Sequence, residues 1–205
     1  MKAIQKGNEP HSLTQHRLAT HADYDNYEQK AELRSALAAE QQGICCYCMK
    51  RIRPEPDHMK IEHWHCQKAY PAEQLNYANL LGACLGNKGQ PQKEQHCDTR
   101  KGDTSLSRNP ANPAHYIEDV IQYLGDGRIK SSDATFNRDL NEVLNLNLAF
   151  LVNNRKAVLD GFMQSLAPGT ISKAVWQKKF REWSETQELR EYCGVVLYWL
   201  RKKLK

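Results

Sequence analysis

No apolar run in this chain approaches the length needed to span a bilayer, and its first residues, Met1-Lys2-Ala3-Ile4-Gln5-Lys6, contain no hydrophobic signal core. A cytoplasmic protein is therefore expected. The composition of a disordered chain is missing as well. Hydrophobic residues make up 40% and charged residues 26%, ordinary values for a folded domain. A chain of 205 residues can bury a real core, either as one generous domain or as a small domain with a second helical lobe. Neither sign of charge dominates: a net charge of +5 permits a polyanionic partner without requiring one. The cysteines, seven in number, cannot all pair with one another. That count points to metal ligands plus buried thiols in place of a disulfide framework.

What is present concentrates between Gly43 and Asp103. Cys45-Cys46-Tyr47-Cys48 contains a C-x2-C spacing, which lets two thiolates bind one tetrahedral zinc from a tight knuckle. Cys45 is the better partner for Cys48, because residues two apart, such as Cys46 and Cys48, tend to point to opposite sides. Met59-Lys60-Ile61-Glu62-His63 alternates like a short strand that delivers Glu62 and His63 to its end, their side chains diverging. Asn76 and Asn79 follow, then Cys84, then His96-Cys97-Asp98-Thr99-Arg100-Lys101-Gly102-Asp103. A Glu-His pair alone carries no weight; this ordered series does.

The rest of the chain reads as helix and turn. His11, His16 and His21 recur every five residues, which puts them on no single helical face, so they are set aside as surface histidines. From Asp23 to Gln42, Leu33, Ala36, Leu37 and Glu40 fall at helical spacing, with Gly43 placed to stop the run. Lys50, Arg51 and Arg53, among prolines, form a basic turn expected to be solvated. Asn109-Pro110-Ala111-Asn112-Pro113 reads as a linker. Beyond it, 117–124 and 128–132 flank a Gly125-Asp126-Gly127 turn as a hairpin. A helix is expected over 148–166, another from Thr170 or Ser172, and a third from about Thr186 onward. Three regions result: an N-terminal helical segment (1–42), a metal-binding core (43–108) and a mainly helical C-terminal region (109–205). The fold class expected is α+β.

The residues of the core resemble the HNH, or ββα-metal, endonucleases that carry a four-cysteine zinc site. Their usual pattern is C-x2-C, an acidic residue followed by His, Asn-Leu, then C-x2-C-Asn-x2-Lys-Gly. Here Cys45 and Cys48 match the first knuckle, Glu62-His63 the acidic-His pair, and Asn79-Leu80 the Asn-Leu. Cys84 and Cys97-Asp98-x2-Lys101-Gly102 match the closing segment. Two departures stand out: Leu85 to His96 interrupts the second knuckle, and Asp98 replaces the commoner Asn or His. More loosely, the whole chain is similar to the HNH nucleases of Septu-type and retron-associated anti-phage defence systems, small proteins that work beside an ABC-type ATPase.

The resemblance implies a mainly helical protein around a ββα-metal core. In it Cys45, Cys48, Cys84 and Cys97 hold a structural zinc, with His96 as the alternative to Cys97. It implies hydrolysis of phosphodiester bonds, with DNA the expected substrate. His63 is the general base, and Glu62 and Asp98 hold a catalytic Mg2+ or Mn2+. Asn79 steadies the loop that orients His63, and Arg100 and Lys101 contact phosphate. The competing expectation is a non-catalytic zinc module that docks nucleic acid or a protein. Cys46, Cys66 and Cys193 have no assigned role.

Overall fold

The computed structural model describes residues 1–166 and 168–205 and shows an α+β fold, with helices arranged around two small antiparallel hairpins. The chain begins with α1 (His11–Arg17) and α2 (Lys30–Glu40). The single helix expected from Asp23 is corrected: it starts at Lys30, because Asp23 and Asn26 each accept the other's backbone N–H, at 3.0 and 2.7 Å. Such side-chain turns compete with helix formation. Leu33 and Leu37 are fully buried, as their spacing predicts. Glu40, on the same stripe, is not apolar filling. Its carboxylate pairs with Lys6 and accepts the Tyr77 hydroxyl at 2.7 Å and the Gly7 N–H at 2.9 Å.

Strands β1 (Lys60–His63) and β2 (Leu80–Ala83) pair antiparallel, with Glu62 opposite Leu81 and His63 opposite Leu80. The knuckle lies against β2, where Cys46 donates its backbone N–H to Gly82 at 3.0 Å. Buried Gln41 spans the same point, its amide exchanging hydrogen bonds of 2.7 and 2.6 Å with the Gly82 backbone. A Cβ at position 82 would lie 2.9 Å from the terminal methyl of Met59 and 3.0 Å from Ile52, so a larger residue there would push these side-chain ends aside. The short helix α3 (Cys97–Lys101) follows the excursion of the second knuckle.

The C-terminal half contains α4 (Ile117–Val120), then β3 (Ile121–Tyr123) and β4 (Ile129–Ser131), which form the expected hairpin. Next come α5 (Ala134–Arg138), a π-turn over Asp139–Val143, and α6 (Ala149–Gln164). Last are α7 (Lys173–Ser184), whose N-terminus Ser172 caps by accepting the Val175 N–H, and α8 (Gly194–Leu204). The final helix does not start near Thr186. Residues 186–193 run as a strap over the knuckle, with Leu189 N–H on Gln42 O at 3.0 Å and Tyr192 N–H on Met49 O at 2.9 Å. The basic turn is likewise no solvated loop. Arg51 binds the Leu189 carbonyl, and Arg53 pairs with Glu188 at 2.7 Å.

One hydrophobic core joins both halves, from Leu13, Leu33 and Leu80 to Leu140, Val196 and Leu200. Truncating any of these leucines to alanine should cost about 2–5 kcal/mol, because a close-packed interior cannot collapse fully around the void. No helix among the described residues is long and apolar enough to cross a membrane.

Candidate functional site

Cys45, Cys48, Cys84 and Cys97 are all buried, and their sulfurs lie within 4.8 Å of one another. The Cys45–Cys97 and Cys48–Cys84 sulfur separations are 3.9 and 3.6 Å. A disulfide needs about 2.05 Å. A tetrahedron with metal–sulfur bonds of about 2.3 Å has edges of about 3.8 Å, so the spacing is that of a zinc-type site. Protonation leads to the same conclusion. Burial opposes ionisation of Cys45, but the thiols of Cys46, Cys48, Cys84 and Cys97 hydrogen-bond to it and hold it well below the usual thiol range. Burial then pushes Cys48 and Cys97 well above that range. A second thiolate beside the first needs a cation, and soft sulfur donors suit zinc. These four cysteines can hold a structural metal such as zinc.

The split second knuckle closes through its backbone. The His96 N–H bonds to the Gly86 carbonyl at 3.1 Å, so the ends of the excursion meet and Cys84 comes beside Cys97. Gly86 has φ +56°, and a Cβ on it would stand 2.1 Å from the His96 carbonyl oxygen. His96 does not replace Cys97 in the cluster. Its buried ring lies with Nδ1 3.1 Å from Cys97 Sγ and packs edge-on against Phe150. Against a metal-bound Cys97 thiolate that nitrogen would donate to the sulfur and steady it. Cys46 stands outside the ligand set, as the spacing predicts, and Cys66 and Cys193 are buried free thiols.

Beside the cysteine cluster, β1 and α3 bring together Glu62, Asp98 and Lys101. Glu62 is 2% exposed. Its Oε1 accepts the Tyr47 hydroxyl at 2.7 Å and lies 2.9 Å from the Lys101 ammonium. Glu62 and Asp98 also lie close enough to influence each other's ionisation. Burial and the Asp98 charge push Glu62 well above the usual carboxyl range, against the pull of Lys101 and Tyr47. Burial works against the ionised form of Asp98, yet the neighbouring Glu62 carboxyl and the Lys60 ammonium outweigh it and hold Asp98 low. Burial and their neighbours thus push the two carboxyl groups in opposite directions.

His63 is 7% exposed, with its Nε2 3.0 Å from the Gln74 carbonyl and its ring edge-on to Tyr24. A carbonyl only accepts, so Nε2 carries the proton and Nδ1 keeps the lone pair. Burial lowers its pKa, and the Gln74 carbonyl and Asp98 work in the opposite direction. Asn79 is spent on the adjoining loop. Its Oδ1 accepts the His65 N–H at 2.7 Å, and its Nδ2 donates to His65 O at 3.0 Å and Glu73 O at 3.3 Å. It therefore fixes the segment that carries the Gln74 contact to His63. His65 is held in the same loop. Its Nδ1 is 2.8 Å from Glu73 and its ring stacks on Tyr70. The H-x-H spacing was the available signal.

Of the two residues expected on phosphate, Lys101 turns inward and Arg100 stays at the surface. Lys101 is 3% exposed, its ammonium divided between Glu62 and the His63 carbonyl at 3.0 Å, so it faces inward. Arg100 is half-buried and donates to the Gln92 carbonyl at 2.9 Å and the Glu142 carbonyl at 3.5 Å. An open groove of about 910 Å³ lies elsewhere, lined by Lys2, Lys6, Cys46, Glu118 and Phe180 among others. It is ringed by paired charges and does not reach His63. The chain matches no family model and no curated relative.

Proposed function

We propose that this protein is a metal-dependent HNH endonuclease that hydrolyses phosphodiester bonds, with DNA the favoured substrate. The observation that carries the reading is that β1 and α3 present Glu62 and Asp98 beside Lys101 and Lys60, with His63, its Nε2 3.0 Å from the Gln74 carbonyl, following Glu62 on β1. His63 takes a proton from the attacking water as the water oxygen bonds to phosphorus and the phosphorus–oxygen ester bond breaks. Glu62 and Asp98 would hold Mg2+ or Mn2+, which supplies positive charge to the scissile phosphate and the leaving oxygen. Asn79 positions the loop that fixes His63, and the four-cysteine centre locks the knuckle to α3. Arg100 and Lys101 act by holding this architecture in place of touching phosphate.

The resemblance to Septu-type and retron-associated nucleases extends the reading to an anti-phage effector that works beside an ABC-type ATPase. A second reading, a non-catalytic zinc module, is favoured by one observation. Lys101 and Tyr47 enclose Glu62, and Lys60 pairs with Asp98, so lysines already neutralise both carboxyl groups. Cleavage of DNA and RNA by the zinc-loaded protein, with and without Mg2+ or Mn2+, separates the two. The nuclease reading predicts cation-dependent products that Glu62→Ala and Asp98→Ala each suppress and higher cation concentrations partly restore; the zinc-module reading predicts binding without products.

A further inference from the structure

We propose that the outer face of α7 and α8 binds the phosphate backbone of nucleic acid. The carrying observation is where the charge lies. Residues 170–205 contain nine lysines and arginines against four glutamates, a surplus of five that equals the surplus of the whole chain, so residues 1–169 are neutral in sum. Lys173, Lys178, Arg181, Lys202, Lys203 and Lys205 are exposed. Among the described residues none of these six forms an ion pair, and three of the four local acids are engaged elsewhere. Glu188 pairs with Arg51 and Arg53, Glu182 with Lys179, and Glu191 accepts the Arg51 N–H.

Helix electrostatics explains only part of this pattern. Lysines in the last turn of α8 complement the helix dipole, but Lys173 opens α7, where a cation is unfavourable and no acidic residue accompanies it in the first turn. Lys178 and Arg181 are three apart on one helical face and repel each other. An external polyanion relieves both costs.

The two helices pack through the opposite side. Trp183 is buried, and the Arg201 guanidinium lies over the Phe180 ring. On α8 the half-buried Tyr198 and Trp199 sit among the cations, with the Lys202 ammonium 4.6 and 5.8 Å from their ring centroids. Rings interleaved with cations suit a sugar–phosphate chain whose bases can stack, more than they suit an acidic protein surface. From Lys173 to Arg181 the helix rises about 12 Å, the axial span of roughly three to four nucleotides at about 3.4 Å each.

The choice of ligand rests on the nuclease reading, but the binding requires neither cleavage nor a catalytic cation. The test uses the full-length, zinc-loaded protein without added Mg2+ and labelled single- and double-stranded DNA and RNA, titrated by fluorescence anisotropy between 50 and 200 mM salt. Two triple variants are compared with wild type: Lys202→Gln/Lys203→Gln/Lys205→Gln and Lys173→Gln/Lys178→Gln/Arg181→Gln. Each should keep the wild-type zinc content and thermal midpoint. Each should also weaken binding alike across base sequences and reduce the log K against log salt slope by about one unit for every phosphate that is no longer neutralised. Unchanged affinity and slope in both variants would overturn the proposal. So would weaker affinity with an unchanged slope, or nucleic-acid binding left intact while capture of an acidic protein disappears. A wild type that binds through this face yet never cleaves would remove the nuclease reading alone, and one that cleaves while both variants bind normally would remove this surface alone.

Discussion

Lys101 and Glu62 form an ion pair at 2.9 Å, with side chains 1% and 2% exposed. Removing one member of a buried pair leaves an uncompensated group and costs about 3–5 kcal/mol, whereas replacing both by neutral groups of similar shape costs less. Lys101→Met should therefore destabilise the protein by about that amount, and Lys101→Met/Glu62→Gln should recover much of it. Urea denaturation at constant zinc measures both. A Lys101→Met protein as stable as wild type would show that the pair does not anchor α3 to β1.

Zinc should bind one per chain, and Cys84→Ser should abolish stoichiometric binding and unfold the knuckle, since the metal ties residues 45–48 to 84 and 97. Metal analysis of the purified chain and its variant reads this directly. A folded Cys84→Ser protein with full zinc content would refute the ligand set.

His96→Phe should keep the fold, because the ring already packs against Phe150, but should lower zinc affinity about 10–100-fold by removing the donor to Cys97 Sγ. Chelator competition measures it. An unchanged affinity would make His96 packing only.

The four-cysteine centre was legible because sulfur ligation demands residue types and spacings that little else explains. The closure of its second half was not, since the Gly86–His96 backbone bond depends on a left-handed glycine inside a polar excursion that carries no periodic signal. Strand β1 and the Leu33/Leu37 stripe follow from alternation and helical spacing. The inward turn of Lys101 could not be read, because Lys101 and Gly102 look the same in sequence whether the ammonium meets a phosphate or a buried carboxylate 39 residues upstream. The strap over 186–193 misled for a similar reason. Leu189, Tyr192 and Cys193 have helical spacing, yet the backbone N–H groups of Leu189 and Tyr192 are claimed by Gln42 and Met49, partners about 140 residues away.

Burial depresses His63 below its ordinary value of 6.5, which fixes the sign of its pH effects. The unfolded chain takes up this proton first as pH falls, so the contribution of His63 to stability is present above pH 6.5 and is lost as pH drops through the lower folded value. The neutral ring is the base, so the acid limb of the cleavage rate should also lie below pH 6.5. A pH–rate profile with its acid limb above 6.5 would contradict the assignment.

Asn79→Ala should cost about 1 kcal/mol by leaving the His65 and Glu73 backbone groups unpaired in a half-buried loop. It should lower cleavage by misplacing His63 while leaving zinc content unchanged. Thermal denaturation, metal analysis and single-turnover rates together separate these effects.

The most direct measurement is cleavage of labelled DNA by wild-type and His63→Ala proteins with equal zinc content, in Mg2+ or Mn2+, with the candidate ATPase partner supplied. Wild type should cleave, and His63→Ala should be slower by about 10²–10⁴-fold with nucleic-acid affinity nearly unchanged, because the base acts only on the attacking water. Equal rates for the two proteins, or no cation-dependent cleavage by wild type under these conditions, would contradict the account.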